Sequence, residues 1–129
     1  LPLAAQARAL AQMSGARGQR IVRAMTANPE LVSGTGRTCA ILMRSCQGRA
    51  AVKTGAEGFF TGIVPELGLG IALKIDDGAG RAADTAMAAL LEMYGLLGDD
   101  EAARNILRAP ITNTVGTVVG ERRAVQILQ

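Results

Sequence analysis

The sequence contains no histidine and no tryptophan, and its only aromatic residues are two phenylalanines and one tyrosine. Histidine is the usual general base and a common metal ligand, so its absence excludes the Ser-His-Asp and Cys-His nucleophile systems. Any chemistry in these 129 residues must use lysine, carboxylate, hydroxyl or thiol groups. Because aromatic residues are too few to fill a core, we expect small and aliphatic side chains to pack it through close backbone contacts.

Long apolar runs are also missing. No run approaches the roughly 20 residues that a membrane helix needs, and no basic segment precedes a cleavable apolar stretch at the N-terminus. We therefore expect a soluble protein with no membrane partner. Cys39 and Cys46 lie seven residues apart in one predicted helix, about 10 Å along its axis, which is too far for a disulfide. Two free thiols favour a cytoplasmic location, and without other thiols or imidazoles we expect no metal site.

The positive charge is spread along the chain. Twelve of the fourteen basic residues are arginine, the net charge is +3, and only Arg122 and Arg123 are adjacent. Nucleic-acid recognition favours a clustered basic face with stacking aromatic residues, which this sequence lacks. We predict no nucleic-acid partner.

The length and the 49% hydrophobic content fit one globular domain or a large part of one. Helical spacing of apolar residues predicts five helices, at about residues 2–13, 21–27, 37–46, 80–97 and 99–108. Gly15 and Gly18 are expected to separate the first two, and the polar segment 33–36 is expected to be a flexible connection.

Strands are predicted at residues 50–54, 58–64 and 69–76, with one or two more in the tail 114–128. The clearest alternation places Leu69, Ile71, Leu73 and Ile75 on one face of a half-buried strand. Helices before and after a strand meander indicate an α+β fold, with an antiparallel sheet and packed helices.

Lys53-Thr54-Gly55 is the one short motif with a known mechanism. It ends a predicted strand and opens a hairpin, the context of K-T-G in penicillin-binding proteins and class A β-lactamases. There, a lysine ammonium helps to activate a serine or holds a substrate carboxylate, and glycine allows close approach to the backbone. The alternative interpretation is an ordinary lysine at a strand end.

The same motif set requires S-x-x-K for the nucleophile, and this sequence has none. Ser14, Ser33 and Ser45 are each followed three residues later by arginine or glycine. The chain therefore carries half of a serine–lysine site. It also opens at Leu1-Pro2 in mid-pattern, as we expect of a fragment.

Three blocks of sequence, in this order, resemble the C-terminal part of the rhizobial-type L-asparaginase II family. They are Asn28–Val32 with Ser33–Cys39, then Val52–Gly58, then Gly68–Gly78. The resemblance covers nearly the whole chain, although residues from Arg108 onward match more loosely. It implies a partial serine β-lactamase/glutaminase-like fold and hydrolysis of L-asparagine to L-aspartate and ammonia.

The resemblance also assigns residues. Lys53 matches the family's catalytic lysine of the C-terminal half, and Cys39 lies near the site. The attacking serine, its partner lysine and the family's zinc ligands would all precede Leu1. Residues 1–129 would then be the C-terminal portion of a single catalytic domain, inactive alone, without a cofactor of its own, and belonging to a homodimer.

Other residues are candidates for binding a small amide substrate. Thr54 and Gly55 would lie against the substrate, and Glu57 would accept its ammonium group or be a solvated hairpin residue. Gly34 and Thr35 would offer backbone amides to a substrate carboxylate, or form a helix cap and turn. Lys74 and Asp76 share the polar face of the predicted strand 69–76, where we expect a cross-strand ion pair rather than catalysis.

Three alternatives to an asparaginase remain at this point. The hairpin is shared by glutaminases and by penicillin-recognising serine hydrolases. The chain is also compatible with a non-catalytic binding or assembly module.

Overall fold

Four helices precede a three-stranded antiparallel meander, and two helices and a hairpin follow it, in the computed structural model, which describes residues 1–125. The first half consists of α1 Leu3–Gln12, α2 Ala16–Ala27, α3 Pro29–Ser33, α4 Thr38–Ser45, β1 Ala51–Thr54 and β2 Phe59–Val64. The second half consists of β3 Leu69–Lys74, α5 Gly80–Met93, α6 Glu101–Leu107, β4 Arg108–Thr112 and β5 Val118–Arg123. The predicted α+β class is confirmed.

The meander β1-β2-β3 lies between two layers of helices. On one face Val52, Phe60 and Ile71 are buried against apolar side chains of α4 and α5. On the other face Ala51 and Ile63 pack with Val22 of α2, and α1 lies along β3. The strand alternation thus sends apolar side chains to both faces, and each face is covered.

The prediction that β3 is half-buried is confirmed, since only Ile71 is fully buried and Lys74 is exposed, although α1 also lies along its second face. A Cβ atom on Gly70 would lie 2.0 Å from the carbonyl oxygen of Ala7 and 2.5 Å from the amide nitrogen of Ala11. Glycine at position 70 lets the backbones of a helix and a strand touch. At this contact small residues pack the helix against the strand, as the composition predicts, and no bulky side chain lies between them.

Two helix predictions also need correction. Helix α2 begins at Ala16, so Gly18 lies inside it, where a Cβ atom would sit 2.2 Å from the carbonyl oxygen of Met13. Gly18 permits this contact rather than breaking the helix. The segment 29–33, which includes part of the predicted connection, forms α3, with Pro29 at its first position.

The C-terminal elements are shorter or different from those predicted. Helix α5 ends at Met93, before Gly95 turns the chain with φ 66°. The Asp100 side chain caps α6 by accepting a hydrogen bond from the Ala103 amide at 2.9 Å. Strand β4 was not predicted, and it pairs with β5 in a separate two-stranded sheet. Strand β5 lies within the predicted tail segment 114–128. Residues 126–128 of that segment lie outside the described residues.

None of the helices in the described part is long and apolar enough to cross a bilayer.

Candidate functional site at the edge of β1

Strand β1 is an outer strand of the meander, so one side of its backbone has no neighbouring strand among the described residues. At this edge the Thr54 amide donates a hydrogen bond to Cys39 Sγ at 3.2 Å. The Lys53 ammonium donates to the Thr54 carbonyl at 2.7 Å. The Gly55 amide turns inward and bonds to the Phe59 carbonyl at 2.7 Å. We call Cys39, Lys53, Thr54 and Gly55 the β1 edge site.

Lys53 is exposed, and its ammonium lies beside the backbone of its own strand. Across the ladder it pairs with Thr61, whose hydroxyl donates to the Lys53 carbonyl at 3.1 Å. Two shallow hollows lie elsewhere, on either side of the loop at Gly98 and Asp99, and Lys53 lines neither of them. The catalytic role of Lys53 stays a prediction.

Cys39 is 1% exposed, in the first turn of α4, with its thiol against the K-T-G strand. The hydrogen bond to the Thr54 amide joins two predicted site residues that are fifteen positions apart. The structure therefore places this thiol directly at the backbone of the motif. A functional role for Cys39 stays a prediction.

Gly34 and Thr35 form the loop that leads into α4. Gly34 and Gly36 both have positive φ angles, 101° and 72°, and the Arg37 amide donates to the Gly34 carbonyl at 3.3 Å. Helix α4 begins at Thr38, three residues after Thr35, and carries Cys39. The loop and the K-T-G strand are therefore connected through the first turn of this helix. Thr35 is exposed. Substrate binding by these residues stays a prediction.

Glu57 occupies a left-handed position in the β1–β2 turn, with φ 59°. Its Oε2 atom lies 3.2 Å from the position that a Cβ would take on Gly78, in the turn that follows β3. The carboxylate is therefore on the β3 side of the turn, and the structure does not bring it to the β1 edge.

The cross-strand ion pair expected at Lys74 and Asp76 is absent from the described residues. Strand β3 ends at Lys74, whose ammonium donates to the Ile75 carbonyl at 2.5 Å. The prediction failed because Asp76 lies beyond the end of the strand, where alternation no longer holds. Lys74 thus makes the same kind of contact at one outer strand as Lys53 does at the other.

Sequence reasoning missed a polar contact beside this edge. The Thr38 hydroxyl, at the start of α4, donates to Asp84 Oδ2 of α5 at 3.0 Å. Burial raises the pKa of Asp84, while the Thr38 hydrogen bond and the nearby guanidinium groups of Arg122 and Arg37 act to lower it. Thr38 and Asp84 are 46 residues apart and belong to no motif, so no sequence signal could have paired them.

The comparison with known protein families assigns the chain to one family. The sequence model of the family described as L-asparaginase II matches residues 1–124. This chain belongs to the L-asparaginase II family. No curated protein matches the chain. For this L-asparaginase II family member, the match includes the loop at Gly34, the β1 edge site, Asp84 and both strands of the C-terminal hairpin, which had matched more loosely by resemblance.

The zinc that the family resemblance implies finds no ligand set here. Among residues 1–125 no three His, Cys, Asp or Glu side chains are grouped so that they could hold a metal ion. The two cysteines of this family member are both buried and unpaired with each other. The described residues of this L-asparaginase II chain therefore do not fit a zinc site.

Burial shields both thiols of this family member, since Cys39 is 1% and Cys46 0% exposed. It raises the pKa of the Cys46 thiol from 9.0 to about 11, and Cys46 is 0% exposed. At pH 8 a thiol with such a pKa is only about 0.1% thiolate, the form that reacts. We expect a disulfide reagent to label neither cysteine of the native chain at pH 8, and both after unfolding in guanidinium. Rapid labelling of the native chain would contradict the packing of α4.

Proposed function

We propose that this chain is the C-terminal portion of the single catalytic domain of an L-asparaginase with a serine β-lactamase/glutaminase-like fold. The complete protein hydrolyses L-asparagine to L-aspartate and ammonia, in the cytoplasm and as a homodimer. The chain supplies Lys53 and the backbone of the β1 edge site. The serine and its partner lysine come from polypeptide outside these 129 residues.

The position of Lys53-Thr54-Gly55 on the outer strand of the meander, in a member of the L-asparaginase II family, is the observation that carries this proposal. In this arrangement a substrate approaches the outer edge of β1 beside Lys53, because the Thr54 amide is bonded to the Cys39 thiol and Gly55 packs against the Phe59 ring. The exposed Lys53 ammonium lies at that side, held by one carbonyl. It can exchange this hydrogen bond for one to a bound substrate without unfolding any element.

In the proposed reaction the serine oxygen attacks the side-chain amide carbon of asparagine, and its proton passes to a lysine. The carbon–nitrogen bond then breaks, the leaving nitrogen takes a proton from a lysine ammonium, and ammonia departs from an acyl-serine ester. Water hydrolyses the ester to aspartate and restores the serine. Lys53 is assigned to proton transfer at the leaving nitrogen. Thr54, Gly55 and the loop at Gly34 and Thr35 position the substrate.

The proposal is tested by measuring ammonia release from asparagine and from glutamine, together with turnover of a chromogenic β-lactam. We expect the complete protein to act on asparagine and the 129-residue chain alone to be inactive. Turnover of glutamine or the β-lactam in place of asparagine would favour the related hydrolases. A complete protein inactive on all three substrates would indicate a binding or assembly module. Full activity of the isolated chain would overturn the division of the site.

A further inference from the structure

The contact between Thr38 and Asp84 lies one residue away from the β1 edge site. Cys39 binds the Thr54 amide through its thiol, and the preceding residue, Thr38, holds Asp84 through its hydroxyl at 3.0 Å. The first turn of α4 thus connects the K-T-G backbone to a carboxylate of α5. Because helix α5 starts just after β3, which ends near the β1–β2 turn, its first turns lie at the K-T-G end of the meander.

The Asp84 carboxylate is half-buried, yet its charge has no direct partner in the described part of the chain. Thr38 is its one hydrogen-bond donor there. The charges of Arg122 and Arg37 act to lower the pKa of Asp84, but neither residue forms an ion pair with it. The four ion pairs in the described part of the chain all join other residues. Arg122 donates instead to the Thr85 hydroxyl at 3.0 Å. Arg37 remains exposed at the end of the loop that holds Gly34.

Asparagine carries an ammonium group and a carboxylate on one carbon atom. Its recognition therefore needs a negatively charged hydrogen-bond acceptor and a positively charged hydrogen-bond donor. The two groups must lie close together without forming an ion pair with each other. Asp84 and Arg37 meet this requirement, because Arg37 directly precedes Thr38, whose hydroxyl binds Asp84 of α5 at 3.0 Å. The guanidinium group is suited to bidentate binding of a carboxylate, and the Asp84 oxygens accept hydrogen bonds from an ammonium group.

We propose that Asp84 and Arg37 recognise the amino-acid part of the substrate, with Asp84 accepting hydrogen bonds from the α-ammonium and Arg37 donating to the α-carboxylate. This inference rests on the proposed function and adds the residues that select a free α-amino acid. It replaces Glu57 as the ammonium acceptor, since Glu57 lies against Gly78. The other nearby carboxylates fit less well, because Glu30 is paired with Arg44 and Asp77 holds the Ala79 amide in a turn.

Selectivity follows because Asp84 has no ion-pair partner among the described residues. An amide that lacks the ammonium group would leave a half-buried carboxylate whose charge only the Thr38 hydroxyl contacts, and such incompletely satisfied groups give strong discrimination between substrates. The complete protein should therefore prefer asparagine to succinamate, which is asparagine without its amino group.

Asp84→Asn in the complete protein tests this inference. The amide side chain introduced at position 84 keeps an oxygen that accepts the hydrogen bond of the Thr38 hydroxyl but carries no charge. The fold should therefore be retained. We expect kcat/KM for asparagine to fall about 100-fold, mainly through KM, and kcat/KM for succinamate to change by less than about threefold. Glu92→Gln, on an exposed part of the same helix, is the control and should change neither value.

An equal loss on both substrates would show that Asp84 has a structural role only, and an unchanged value for asparagine would also overturn the inference.

Arg37→Met gives a second test that does not depend on a buried position. It should raise KM for asparagine at least tenfold and leave KM for the diamide of aspartate, which lacks the α-carboxylate, unchanged. An equal rise for both compounds, or no rise for asparagine, would overturn the assignment of Arg37. A wild-type protein without asparagine turnover would instead contradict the proposed function.

Discussion

Replacing Lys53 by methionine in the complete protein should lower kcat for asparagine hydrolysis by about 10²- to 10⁴-fold, the range that a positioned acid or base contributes. Methionine keeps the length of the apolar stem and removes the ammonium group. The structural cost should be small, because the lost contact is one exposed hydrogen bond to the Thr54 carbonyl. Ammonia release under saturating asparagine measures the effect, and circular dichroism checks the fold.

Lys74→Met provides a matched control for this variant. These two residues are the only lysines of the sequence, both are exposed, and each donates a hydrogen bond to the carbonyl of the following residue. They differ in position, since Lys53 is on β1 at the K-T-G motif and Lys74 is on β3 at the opposite edge. We expect Lys74→Met to keep kcat within about twofold. Similar turnover in both variants would remove Lys53 from the mechanism.

The meander could be predicted from the sequence because its signals are local. Alternating residues and glycine-bearing turns gave the three strands to within two residues at each end. The position of Lys53-Thr54-Gly55 at the end of β1 followed from the same pattern. The covering of both sheet faces could not be predicted, because alanine and glycine on a strand look the same whether they face water or the backbone of a helix.

The polar contacts at the site depend on tertiary structure. Cys39 and Thr54 are fifteen residues apart, and Thr38 and Asp84 are 46 apart, with no spacing rule that links either pair. Strand β4 was missed for a different reason. Pro110 follows the helix predicted at residues 99–108 and is typical of a helix end, whereas in the structure it pairs with Glu121 in a two-stranded sheet, where an outer strand tolerates proline.

Close backbone packing makes Gly70 the position where the smallest change should have the largest effect on stability. Helix α1 approaches β3 so closely that a Cβ atom there would lie 2.0 Å from the Ala7 carbonyl oxygen. The obstacle is helix backbone, which cannot rotate away as a side chain can. Movement of α1 would also pull Leu10 away from Ile63, which pairs with Gly70 on the same sheet face.

Gly70→Ala should therefore lower the free energy of unfolding by about 2–4 kcal/mol, at the upper end of overpacking effects, and shift the urea midpoint down by about 1–2 M. Gly80→Ala is the matched control. Gly80 is the first residue of α5, and a Cβ atom there would meet no atom within 4 Å. Alanine also favours a helix, so this variant should be unchanged or more stable by up to about 1 kcal/mol. Equal midpoints for the two variants would mean that α1 does not rest on β3 as described, since only the contact at Gly70 distinguishes the two added methyl groups.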